Sequence, residues 1–149
     1  MISDDKRQLL RHMVATVVFR GQVAIDGAPA DFADFKASED SRTPREILAH
    51  IGDLVIGSES LLRGEFIEIN STPLPWDEEV ARFLAGARKL DDLLASDQPL
   101  AYPIEKFVQG PVGDALTHVG QIVLLRRISG SPVMGAPYFS ADIIPGSFE

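Results

Sequence analysis

Four stretches of this chain repeat apolar residues at the three-to-four spacing of a single helix face, and each is closed by residues that stop a helix. In the first, Leu10, Met13, Val14, Val17 and Gly21 recur behind Ser3, a capping residue, and the acidic pair Asp4-Asp5. This predicts a helix from Asp4 to Ile25, ended by Gly27-Ala28-Pro29. Thr43-Pro44-Arg45-Glu46 then places a capping threonine, a proline at the first helical position and a glutamate able to complete a capping box. The second helix runs on to Arg63 with Ile47, Ile51, Leu54, Ser58 and Leu61 inward, and Gly64 is its stop. A third is expected from Trp76 or Asp77 to Ala95, with Val80, Phe83, Leu84, Ala87, Leu90 and Leu94 inward. The fourth runs from Val112 to Ile128, with Ala115, Val119, Ile122 and Leu125 or Arg126 inward, and ends at Gly130 and Pro132.

No segment alternates with the two-residue period of a strand, so the expected architecture is all-α: one four-helix bundle domain covering residues 1–149. Ala30 to Arg42 reads as a long polar connection between the first two helices, pinned by Phe32 and Phe35. Between Asp97-Gln98-Pro99 and Gln109-Gly110-Pro111 only a short helical turn is expected. Met134 to Glu149 has neither period and reads as an extended tail packed over the bundle, with Tyr138 among the aromatics that pack the connections.

A chain of 149 residues can bury a core without staples, so no metal is needed for folding. With no cysteine, disulfides, thiolate ligands and a cysteine nucleophile are excluded. Lys and Arg number 14 against 22 Asp and Glu, a net charge of −8, and no basic stripe is present to grip phosphates; nucleic acid is not an expected partner. The densest basic pair, Arg126-Arg127, falls at a predicted helix end, where it complements the dipole. The start of the chain lacks the pattern of a signal peptide, and no apolar run approaches the roughly 20 residues that span a bilayer, so a cytoplasmic protein without membrane contact is expected.

Three histidines narrow the search for a site. His12 falls on the polar flank of the first helix and reads as exposed. His50 lies within one or two positions of the second helix's apolar stripe, and His118 is placed similarly on the fourth, one turn after Asp114. Residues four apart on a helix stand one above the other, so Asp114 and His118 can share one ion, and His50 would add a second imidazole. Two imidazoles and a carboxylate suit zinc, nickel or iron in a site with positions left open for water or substrate. Asp53 is a candidate fourth ligand, or an acceptor that orients the His50 ring. The same spacing also fits two ordinary half-buried histidines.

Three stretches resemble the DinB-like superfamily, which includes YfiT-like proteins: Arg42 through Asp53, Gly110 through Arg127 around Thr117-His118-Val119-Gly120-Gln121, and Gly130-Ser131-Pro132-Val133. The resemblance implies an up-down-down-up four-helix bundle, often dimeric, with a divalent metal held by a histidine of helix 2 and a His-x-x-x-His pair of a later helix. His50 matches the first ligand and His118 the last, while Asp114 stands where the family has a histidine, a change that either alters the hardness of the site or abolishes it.

The expected function is accordingly a metal-dependent hydrolase or small-thiol S-transferase acting on a small molecule as a homodimer. Arg20, Arg126 and Arg127 are candidates to hold an anionic thiol. The competing expectation is a non-catalytic small-molecule-binding or dimeric scaffold. Gly110-Pro111-Val112-Gly113 lacks the lysine and spacing of a phosphate loop, and Ser58 and Ser60 have no nucleophile-elbow context.

Overall fold

The computed structural model describes residues 2–148, leaving Met1 and the tail's last residue, Glu149, outside the described residues. The chain is all-helical: α1 (Asp4–Ile25), α2 (Pro44–Leu62), α3 (Trp76–Ala95), α4 (Ile104–Phe107) and α5 (Gly113–Ile128), with a 3-10 turn at Phe32–Asp34 and a π-helical turn at Val108–Val112. Among the described residues no strand forms, and no helix is long and apolar enough to cross a membrane.

The helix ends follow local chemistry. Ser3 caps α1 through the Lys6 amide, and Thr43 and Glu46 close a reciprocal capping box on α2. At the end of α2 the chain turns back at Gly64, whose φ of 82° a side chain would strain, and the Glu65 amide reaches the Ser60 carbonyl.

Helix α1 packs on α3 and α5, and α2 packs on the same two. Their shared core holds Leu10, Val18, Leu48, Ile51, Phe83 and Ile122, each almost fully buried. The predicted inner positions Met13, Leu54, Leu61, Val80 and Leu84 are only partly buried and line the rim of this core. Helix α1 also buries Ala15 and Val18 beside its expected stripe, on a face that the tail residues Ile143 and Ser147 approach. There Phe148 is buried, Arg88 donates to its carbonyl at 2.7 Å, and Ile143 packs on the core. Phe32 is buried in the connection after α1 and meets Trp76 edge-on at 5.9 Å, so the expected aromatic pin forms.

Buried arginines tie helix ends together. Arg126 donates to the carbonyls of Ala24 and Asp26 at the end of α1 and to that of Ser131 beyond α5. Arg7 reaches from the start of α1 to the carbonyls of Ser96 and Gln98 after α3. Arg126 is therefore more than a surface complement to a dipole: its guanidinium is spent on carbonyls that helix ends leave without partners.

The helix after residue 103 departs from expectation. Gln109-Gly110-Pro111 does not break it; the backbone passes from α4 through the π turn into α5. A proline inside an α-helix removes a hydrogen bond and collides with the preceding turn, and the wider π turn accommodates it. The burial pattern shows the register change: Ile104 and Phe107 face the core, then Val112, Ala115, Val119 and Ile122, with the five-residue gap of a π turn between Phe107 and Val112.

Helices α2 and α3 approach most closely. A Cβ on Gly86 would stand 2.9 Å from Ile56, and one on Gly52 would stand 2.8 Å from the Arg82 guanidinium. Arg82 pairs with Asp53 and lies 3.4 Å from Glu79, which is fully buried, while donating to the Ala49 carbonyl at 3.3 Å and to Ser71 Oγ at 3.0 Å. Glu79 also accepts from the Leu74 amide at 3.0 Å. Burial pushes the Asp53 carboxyl up, but hydrogen bonds from Arg82 and Ser71 and the Arg82 charge outweigh it and hold the group below its ordinary value.

Replacing Arg82 by methionine leaves two largely buried carboxylates without their cation, an expected cost of about 3 kcal/mol, or roughly 6 to 12 °C in Tm. Since the folded Asp53 value lies below the unfolded one, its contribution is complete above the ordinary carboxylate pKa of about 4 and is lost as pH falls through the folded value. Urea unfolding at neutral and acid pH should show a shallower acid loss in Arg82→Met than in the wild type.

Candidate metal centre

His50 emerges from α2 between the buried residues Ala49 and Ile51, at the edge of the helix's inner face and toward α5. Asp114 lies in the first turn of α5 and His118 one turn later, so their side chains stack along that helix as the spacing requires. His50 Nε2 lies 2.9 Å from Asp114 Oδ2, and the other carboxylate oxygen lies 3.3 Å from His118 Nδ1. The two imidazole centroids are 4.5 Å apart, with their planes tilted by 53°.

The His118 ring is held by its own helix. Its Nδ1 donates to the Asp114 main-chain carbonyl at 2.7 Å, and the Thr117 hydroxyl donates to the same oxygen at 2.8 Å. A carbonyl can only accept, so Nδ1 carries the proton, and in the neutral ring the lone pair is on Nε2, the form a metal takes. Thr117 stands in the stretch that carries the family resemblance, but pattern reading gave it no role.

One donor atom from each of His50, Asp114 and His118 lies within 4.8 Å of the other two. Three donors bound to one ion through bonds of about 2.1 Å stand roughly 3.0 to 3.5 Å apart. The present spacing is within reach of that by side-chain rotation, so the group could hold a metal ion, and two imidazoles with one carboxylate suit a transition metal better than calcium or magnesium. The side chains of His50 and Asp114 are 33% and 43% exposed and that of His118 is 13% exposed, so the group opens to solvent on one side.

The other candidates lie elsewhere. Asp53 is neither a fourth ligand nor the orienter of His50: it sits one turn on but accepts from Arg82 and from the amide and hydroxyl of Ser71. His12 is exposed on α1. Among the arginines considered for an anionic thiol, Arg126 is buried on carbonyls and Arg20 lies 4.0 Å above the Tyr138 ring, leaving Arg127 exposed near the far end of α5. Comparison of the chain with family models, curated proteins and solved structures found no match.

The hydrogen-bond pattern fixes an observable. In nitrogen-15 spectra that resolve ring tautomers, neutral His118 should appear as the Nδ1–H form in metal-free protein; a dominant Nε2–H form would contradict this reading of the ring.

Proposed function

We propose that this chain is a DinB-like four-helix bundle, its long helices in up-down-down-up order, in which His50, Asp114 and His118 hold a divalent transition metal: zinc, nickel or iron. The order is supported by contacts at the helix ends: Arg126 near the end of α5 reaches the end of α1, and Arg7 near the start of α1 reaches the end of α3. The pairing of Gly52 with Arg82 and of Ile56 with Gly86 supports α2 and α3 running the same way.

The activity we propose is a metal-dependent reaction on a small molecule, either hydrolysis or transfer to a low-molecular-weight thiol. The observation that carries it is the convergence of three donors from two helices at a place half open to solvent. A metal held there would act as a Lewis acid and lower the pKa of a bound water or thiol. The chain itself fixes the His118 ring against the Asp114 carbonyl and sets the Asp114 carboxylate between the two imidazoles. Arg127 lies nine residues beyond His118, about 14 Å along the helix, so only a long anionic thiol would reach it from the site. Leu124 and Ile128, exposed one turn apart on α5, support a homodimer.

Untagged protein should bind zinc or nickel, and metal at a hundred times its Kd should stabilise the fold by about 2.7 kcal/mol. His118→Ala and Asp114→Ala should lose both effects. Binding no tighter than millimolar, or unchanged in His118→Ala, would overturn the metal site; assays of ester and amide substrates beside bacillithiol, mycothiol and glutathione with electrophilic acceptors separate the two reactions.

A second reading rests on the 2.9 Å contact between His50 and Asp114, which by itself bridges α2 and α5. In that scaffold the contact is structural, so Asp114→Ala would destabilise metal-free protein while added metal would leave the wild-type Tm unchanged.

A further inference from the structure

The centre of the helical core is not filled. An apolar cavity of about 20 Å³ lies among Val14 and Val17 of α1, Val55 of α2, Ala87 of α3, Val112 of the π turn and Ala115 of α5. Its cause is legible in the side chains: α3 and α5 each present an alanine to this space, with Ala87 and Ala115 almost fully buried. Valines complete much of the wall, and they cannot extend as leucine would to close the gap.

Water gains little there. A buried water is held by two to four polar partners, but among the described residues Ser58 offers the wall's only polar side chain, and its hydroxyl already donates to the Leu54 carbonyl at 2.7 Å. Apolar cavities lined in this way stay dry and accept apolar guests of matching size, and a space of this volume admits a single small one. We infer that the cavity is a binding site for one small apolar molecule of the size of a diatomic gas. Leu54, one turn beyond His50, and Ala115, next to Asp114, are in its wall, so the site lies on the core side of the histidine group. It does not depend on a metal being bound there.

Dissolved dioxygen under pressure is a suitable probe because it is apolar, small and paramagnetic, with nitrogen at the same pressure as the blank. In metal-free, full-length protein the methyl groups of Val14, Val17, Val55 and Val112 should relax faster than those of Leu62 and Ile122, which are as deeply buried but do not line the cavity. Ala87→Val fills the space and should abolish the excess; Val17→Ala enlarges it and should increase the excess. Equal relaxation of lining and non-lining methyls, or an excess that survives Ala87→Val, would overturn the inference. Should Ala87→Val fail to fold, an excess unchanged in Val17→Ala overturns it equally. The measurement is made without metal, so its failure leaves the metal reading standing, and the reverse holds too.

Discussion

Helices α2 and α3 meet at Gly52 and Gly86: the space beside Gly52 is taken by the Arg82 guanidinium, and a Cβ on Gly86 would stand 2.9 Å from Ile56. This contact sets how α2 is rotated. Arg82 grips the Ala49 carbonyl and the Asp53 carboxylate, which flank His50 in sequence, and with them in place His50 faces α5. The connection before α3 depends on the same group, since Ser71 and Leu74 are held by Asp53 and Glu79. A fully buried carboxylate would be costly alone, but among the described residues every deeply buried polar side-chain atom has a hydrogen-bond partner.

The histidine group is the mirror of that arrangement on the other side of α2. Toward α3 a cation satisfies two carboxylates in a nearly dry setting; toward α5 a carboxylate lies between two imidazoles with water in reach. The first set saturates its own charges and holds the helices. The second is partly open to solvent and could hold a metal ion.

Much of this was legible in the residues. Ser3, the Thr43-Pro44-Glu46 box and Gly64 mark helix ends through local hydrogen bonding alone, and α1 begins and ends where its cap and Gly27 place it. Asp114 and His118 were also readable, because their spacing fixes their relation within one helix. The partner of Asp53 was not: position 53 lies near His50 on a helical wheel, and only the packing of α3 decides that it meets Arg82 instead. Arg126 was legible only in part: it was read as a complement to the helix dipole and, as an alternative to Leu125, as an inner position, and both are buried, but the carbonyls it meets belong to the end of α1 and leave no local signal. At Gly110-Pro111 local propensity was simply overridden, with the core positions on both sides keeping the chain helical.

That override has a consequence for chain length. An α-helix cannot absorb an extra residue without rotating everything beyond it by about 100°. The π turn holds one surplus residue within Val108–Val112, so that Phe107 on one side and Val112 on the other both keep their place in the core. It works as a splice between two helical registers, and a one-residue loss at that point is where the segment could change length while Asp114 and His118 keep their orientation toward His50.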